Sequence, residues 1–321
     1  VKAAIVREFG HPPYYGDFAE PTPLPGETVV SVTATAVSPL VRGRASGAHY
    51  SADSTLPLVP GVDGVGRTPE GRRVYFGFPR PPFGSMAERV AVSADRLMPL
   101  PDSLGDATAA AAANPGMSCW VPLTILAPVR PGESVLVNGA TGAAGRMAVQ
   151  VAKHLGARKV IATGRDEAKL RTLPELGADV VLSLGQSAES LREAVRKEAR
   201  ECEVGVVLDY LWGPPAETIL SALGGPGAPR GAARIRYVHI GSLAGNTISL
   251  AGAPLRSSGV EILGSGLGSS TDKDLVTGIG QFLEACASAR FRIAIDVHPL
   301  SEVEQVWTRT TGEKRLVFRV P

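Results

Sequence analysis

With 321 residues, 44% of them hydrophobic and 20% charged, the chain has the apolar content of a folded globular protein and the length for two cores. A formal net charge of +2 gives no bulk electrostatic reason to bind nucleic acid or an anionic membrane. No apolar run approaches the roughly 20 residues that cross a bilayer, and the opening, Val1 to Arg7, is too short and too soon charged for a secretory signal, so a soluble cytoplasmic protein is expected.

The first third is rich in Pro, Gly, Val and Thr. Glu27 to Ala36 reads as a strand, with β-branched residues at Val29, Val30, Val32, Thr33 and Thr35. Arg72 to Phe76 and Glu88 to Val92 read as shorter strands, separated by turn chemistry at Pro21 to Gly26 and Phe78 to Gly84. Ala107 to Ala113 is a helix-forming alanine run. Alternation begins after Pro131-Gly132-Glu133. Strands are expected at Ser134 to Val137, Lys159 to Thr163, Asp179 to Leu182, Val204 to Leu208, Arg236 to Ile240 and Glu261 to Leu263. Helices fall between most of them. One has Ala148, Val151, Ala152 and Leu155 at i, i+3, i+4 and i+7, with Gly156 placed to end it; another spans Glu189 to Glu201. This alternation predicts a parallel sheet covered on both faces. Gly224 to Ala233 reads as an exposed surface loop. Asp272 to Ala289 reads as a helix, Arg292 to Val297 and Arg315 to Val320 as closing strands, and Ser301 to Arg309 as the helix between them.

Cys119, Cys202 and Cys286 are odd in number and form no CxxC pair. They predict unpaired thiols in a reducing compartment, with neither a disulfide framework nor a thiolate zinc lobe.

The strongest local signal is Val135-Leu136-Val137-Asn138-Gly139-Ala140-Thr141-Gly142-Ala143-Ala144-Gly145. A strand runs into a glycine-rich turn and then a helix. Gly142 and Gly145 are expected to clear space for a pyrophosphate, and the helix N-terminus points free N–H groups at it. Thr141, Ala143 and Ala144 complete the turn. The spacing is not a strict GxGxxG, but the second strand about 25 residues on strengthens a dinucleotide reading. An NAD site places an acid at the end of that second strand. Here Gly164 stands there, followed by Arg165, with Lys169 near the next helix start. A missing acid and two cations suit a 2′-phosphate and hence NADPH. A one-residue shift in register would instead offer the Asp166 carboxylate.

With these residues in hand, the chain resembles the zinc-free quinone oxidoreductase branch of the medium-chain dehydrogenase/reductase superfamily. The likeness runs from Lys2-Ala3-Ala4-Ile5 through Leu58 to Gly66, Gly84 to Glu88, Asn114 to Leu123 and the glycine-rich turn. Leu176 to Asp179 and Gly264 to Gly268 complete it. It implies an α/β protein: a Rossmann doubly wound parallel sheet plus a GroES-like β-rich catalytic domain. The catalytic domain would be 1–114, closed by 286–321, and the NADP-binding domain 115–285. The resemblance places the nicotinamide end against Asn114, Ser118, Gly241, Ser242, Gly264, Ser265 and Gly266. It also implies a homodimer, often joined through the edge strand near Glu261 to Leu263.

Zinc-dependent relatives ligate metal at positions matching Ser38, Val62 and Asn114. Val62 has no donor atom, and neither Ser38 nor Asn114 is a good zinc ligand, so no catalytic metal is expected. The chemistry left is direct hydride transfer from NADPH to a quinone or an α,β-unsaturated carbonyl compound, with the protein orienting the reactants. An enoyl-thioester reductase is a related variant, and a non-catalytic NADPH-binding sensor or scaffold is the alternative from another class. Tyr50 or His49 is the candidate proton donor, with solvent as the other source. Ser38, Tyr75 and Trp120 are candidate walls of the substrate pocket, although packing is the commoner role for buried aromatics.

Overall fold

The computed structural model of the chain describes residues 1–52, 55–224, 234–309 and 314–321. In chain order the strands and helices are β1 (Lys2–Ile5), β2 (Tyr14–Asp17), β3 (Glu27–Ala36), α1 (Pro39–Ala45), β4 (Asp63–Arg67), β5 (Arg73–Gly77), β6 (Arg89–Ser93), β7 (Leu97–Pro99) and α2 (Asp106–Val121). There follow β8 (Ser134–Asn138), α3 (Ala143–His154), β9 (Val160–Gly164), α4 (Glu167–Leu170), β10 (Val180–Ser183), α5 (Ala188–Glu201), β11 (Val204–Asp209) and α6 (Gly213–Gly224). The last are β12 (Ile235–His239), α7 (Gly252–Ser257), β13 (Val260–Gly264), α8 (Asp272–Ala289), β14 (Ile295–Pro299), α9 (Val303–Val306) and β15 (Arg315–Arg319). They form two compact units, Val1–Asn114 with Ile279–Pro321, and Pro115–Gly278.

The first unit is built on a mostly antiparallel sheet in the order β14-β15-β3-β4-β5-β7, with β6 also pairing β3. The long strand β3 organises it, because its β-branched run pairs with β4, β6 and β15. Ile5, Val30, Phe76, Met86 and Phe318 fill the core beneath it. Asp63 is buried here and accepts a 2.7 Å hydrogen bond from the Tyr75 hydroxyl. Burial raises its pKa from 3.8 to about 6, opposed by the Tyr75 bond and the Arg315 charge. The folded chain therefore holds this proton more tightly than the unfolded chain. The associated stability is fully present below pH 3.8 and is lost as the pH rises through 6. Relative to Asp63→Asn, the wild-type chain should thus gain on the order of 2–3 kcal/mol between pH 7 and pH 4. Parallel pH dependences of urea unfolding for the two chains would refute this.

The second unit is a six-stranded parallel sheet in the order β10-β9-β8-β11-β12-β13. Counted from β8 this is 3-2-1-4-5-6, the doubly wound arrangement. The chain runs outward from β8 to β10, then returns to place β11 on the other side of β8. The switch point therefore lies between β8 and β11. Strands β8, β9 and β11 are buried along their whole length, which is why they read as continuous apolar runs. The helix α3 turns Met147, Ala148, Val151 and Ala152 inward, while Leu155 is its C-cap and Gly156 follows with φ +87°.

Three expectations need correction. The helix expected over Ala107 to Ala113 continues to Val121, straight through Pro115. Ala109 to Ala113, Cys119 and Trp120 are all buried, so packing outweighs the missing proline N–H. The helix expected over Ser301 to Arg309 is a 3-10 turn, Leu300–Glu302, followed by the single turn α9. The strand expected from Arg292 begins at Ile295, where pairing with β15 starts. The loop expected over Gly224 to Ala233 lies outside the described residues beyond Gly224.

Candidate dinucleotide site and substrate-side residues

In the second unit β8 ends at Asn138, and the turn begins at Gly139 with φ +92°, a conformation other residues adopt only with strain. Gly142 is the N-cap of α3. It is exposed, and a Cβ built on it meets no atom within 4 Å. No acidic residue stands in the first turn of α3 and no side chain caps it. The leading N–H groups of a 12-residue helix are therefore left without a side-chain cap beside an exposed glycine, the arrangement that accepts a phosphate. Gly145 has a different role from the one the sequence suggests. It is buried, and a Cβ there would lie 2.3 Å from the Gly139 carbonyl oxygen and 2.5 Å from the Ala140 Cα. Its missing side chain serves the packing of α3 on the turn, while the space at the helix end comes from Gly142.

The end of β9 explains the missing acid. A Cβ at Gly164 would lie 2.4 Å from the Thr141 methyl, so Thr141 occupies the space a larger residue needs. Arg165 is exposed, and no ion pair to it is found among the described residues. Asp166 is turned toward its own helix. Its Oδ1 accepts from the Lys169 N–H at 3.1 Å, and its Oδ2 pairs with the Lys169 ammonium at 3.2 Å. The carboxylate that a register shift would have offered is thus engaged, and Lys169 is engaged with it. Gly241 and Ser242 follow β12 and are half-buried. Gly264, Ser265 and Gly266 lie at and just beyond the end of β13. Ser118 donates to the Pro115 carbonyl at 2.7 Å and lies 3.4 Å from the Tyr210 hydroxyl. Trp120, an expected pocket wall, is only 7% exposed.

In the first unit Asn114 is half-buried on α2. Ser38 is buried as the N-cap of α1, its Oγ accepting from the Val41 N–H at 3.1 Å. Tyr75 is fully buried with its hydroxyl bonded to Asp63, which leaves it a core residue with no face for a substrate. One cavity in this unit is about 40 Å³ and is lined by Val41, Arg44, Leu58, Val62, Phe78 and Phe83 among others, and a more open depression of about 420 Å³ lies against Thr33, Asp106, Val317 and Arg319. The first has room for a water or two. None of Ser38, Tyr75 and Trp120 lines either. Phe78 and Phe83 sit in the segment that the sequence marks only as a turn.

His49 and Tyr50 follow α1, their rings 4.3 Å apart, with Tyr50 75% exposed. The Nδ1 of His49 accepts from the Ser51 backbone N–H at 3.2 Å and lies 2.8 Å from the Ser51 hydroxyl. That network assigns the proton to Nε2. Burial, with the Arg44 charge beside it, holds the His49 pKa below its ordinary value. The ring is therefore neutral near pH 7 and suits hydrogen-bond donation through Nε2 better than proton release.

Taken as geometry, a 3-2-1-4-5-6 parallel sheet with an open glycine turn at its switch point defines a dinucleotide-binding α/β protein. A family model described as zinc-binding dehydrogenase matches residues 143–279. The chain is 31% identical over 361 aligned positions to a probable NADPH-dependent quinone reductase of Emericella nidulans, covering 99% of both chains. It is 32% identical over 177 positions to a chloroplastic NADPH-dependent alkenal/one oxidoreductase of Arabidopsis thaliana, covering 49% of this chain and 44% of that one. The solved structure of a mycobacterial quinone oxidoreductase shares the fold, with a TM-score of 0.85, 23% identity and 99% of both chains covered. The chain belongs to the quinone oxidoreductase-like branch of the medium-chain dehydrogenase/reductase superfamily. The family model's zinc-binding name rests on a segment that contains none of Ser38, Val62 and Asn114.

Proposed function

We propose that the chain reduces quinones or α,β-unsaturated carbonyl compounds with NADPH as the hydride source. The observation that carries this reading is the open, uncapped end of α3 at Gly142, in a chain aligned end to end with an NADPH-dependent quinone reductase. Thr141, Gly142, Ala143 and Ala144 would hold the pyrophosphate through backbone N–H groups, with Gly145 keeping the turn closed beneath them. Arg165 beside Gly164 would take the 2′-phosphate, with Lys169 adding charge nearby. Asn114, Ser118, Gly241, Ser242, Gly264, Ser265 and Gly266 are assigned to the nicotinamide end. Bound NADPH supplies the hydride. His49 is assigned to polarising the substrate oxygen through Nε2–H, and Tyr50 to the proton. Residues 1–114 with the C-terminal segment form the catalytic part in this reading, and the parallel-sheet unit the nucleotide-binding part. A homodimer joined along the edge strand β13 and a cytoplasmic location belong to the same reading. The strand's free edge supports the first, and three unpaired buried cysteines support the second.

The test is NADPH oxidation with 1,4-benzoquinone or an alkyl vinyl ketone, run beside NADPH binding alone. Turnover supports the proposal; tight binding with no acceptor in a broad panel favours a sensor or scaffold. Arg165→Ala should weaken NADPH binding by about 1–3 kcal/mol, the scale of a hydrogen bond to a charged group, and leave NADH affinity almost unchanged. Equal losses for both nucleotides would contradict the role given to Arg165.

A further inference from the structure

Four buried polar side chains meet at the switch point of the parallel sheet, in strands that are otherwise apolar. Asn138, Thr163, Asp209 and Tyr237 are each 0% exposed. Asn138 and Asp209 end β8 and β11 and stand opposite each other in register. The bonds run in one direction. The Gly139 N–H donates to Thr163 Oγ1 at 3.1 Å, and that hydroxyl donates to Asn138 Oδ1 at 2.7 Å. Asn138 Nδ2 donates to Asp209 Oδ1 at 2.8 Å. The same oxygen accepts from the Leu211 N–H at 2.9 Å and the Trp212 N–H at 3.1 Å. The other carboxylate oxygen accepts from the Tyr237 hydroxyl at 2.7 Å. The Asp209 backbone carbonyl takes the Ile240 and Gly241 N–H groups at 2.8 and 3.1 Å.

Each of these bonds needs its partner in the present orientation, so neither the amide of Asn138 nor the hydroxyl of Thr163 can turn without orphaning a buried group. Three loops are tied to this hub: the glycine turn after β8, the 210–212 segment after β11, and the 240–241 segment after β12. Leu211 adds a steric link, since its Cγ would lie 2.8 Å from a Cβ at Gly139. A hub that served the sheet alone would not need to hold three loop backbones beyond the strand ends. We infer that Asn138, Thr163 and Asp209 are positioning residues that set the glycine turn and the Gly241 loop in the geometry that receives NADPH. The inference rests on the NADPH reading above.

The test compares two ends of one sheet. Thr163→Val keeps the shape of the side chain but leaves the Gly139 N–H and Asn138 Oδ1 unpaired. It should raise the NADPH Kd at least tenfold, and Thr163→Ser should restore it. Tyr237→Phe removes only the hydroxyl and should raise Kd severalfold. The control is Glu133→Gln, which perturbs a buried ion pair at the opposite end of the strands and should leave Kd within twofold even where it lowers the melting temperature. Fluorescence titration of each full-length chain gives Kd, and thermal unfolding without nucleotide gives stability. Unchanged Kd in Tyr237→Phe together with unchanged Kd or failure to fold in Thr163→Val overturns the inference. So does an equal loss of affinity in Glu133→Gln. A wild-type chain that binds no NADPH would remove the reading beneath it, a result these variants cannot imitate.

Discussion

Gly142→Asp should make the nucleotide-free chain more stable while cutting NADPH affinity at least a hundredfold. The two effects have opposite signs because the same atoms serve both states. Gly142 is the N-cap of α3, with φ −86° and ψ 169°, a backbone that aspartate adopts without strain. An aspartate side chain there would accept from the free N–H groups and complement the helix dipole, a gain of several tenths to about 1 kcal/mol. It would also place a carboxylate where a pyrophosphate is to bind. Two like charges about 4 Å apart near a protein surface cost about 4 kcal/mol, which sets the scale of the loss. Thermal unfolding without nucleotide and fluorescence titration with NADPH separate the two. A variant that binds NADPH like the wild type would place the pyrophosphate elsewhere. Gly145→Ala gives the contrast: its Cβ meets backbone 2.3 Å away, so the fold itself should suffer.

Glu133→Ala is expected to destabilise the parallel-sheet unit by about 3–5 kcal/mol, the usual cost of leaving one partner of a buried pair alone. Arg236 is 5% exposed. Its guanidinium bonds the Glu133 carboxylate, the Pro128 carbonyl at 2.6 Å and the Gly205 carbonyl at 3.2 Å. Glu133 also accepts from the Arg130 N–H at 2.8 Å. Removing it strands a buried cation and a backbone donor together. The double variant Glu133→Leu with Arg236→Met should recover most of the loss, because the desolvation of both charges disappears with them. Urea unfolding checks both chains. A loss under about 1 kcal/mol in Glu133→Ala would show the pair to be more solvated than its burial implies.

Much of the architecture was legible because apolar patterning dominates it. Glu27 to Ala36 and Asp272 to Ala289 emerge with the boundaries the sequence suggested, the first because its β-branched run is bounded by turn residues. The six parallel strands announce themselves as short apolar runs bounded by turns. Helix α2 runs well past the alanine stretch that marks it in the sequence, because helix propensity shows only Ala107 to Ala113, while burial carries the helix on through Pro115 to Val121. In the candidate site, the glycine turn was visible, but the division of labour between Gly142 and Gly145 was not. Both are glycines in one motif, and only the backbone path shows which faces open space and which faces a carbonyl. The Asn138–Asp209 hub escaped because its bonded side chains are 25 to 71 residues apart. Its one local trace is a polar residue closing each of two apolar runs, at Asn138 and Asp209. The partner of Tyr75 was hidden for a similar reason: packing is the commoner role for a buried aromatic, but Asp63 is brought to its hydroxyl only by the pairing of β4 with β5.

The crowding of Gly164 by Thr141 bears on how coenzyme preference can drift in such a chain. A single mutation that installs an acid at the end of β9 would first collide with the threonine methyl 2.4 Å away. A route toward NADH through residue 164 therefore involves residue 141 as well, whose side chain must turn or be trimmed to admit a Cβ. The two positions are coupled, and a smaller residue at 141 beside the acid at 164 is the pair worth building.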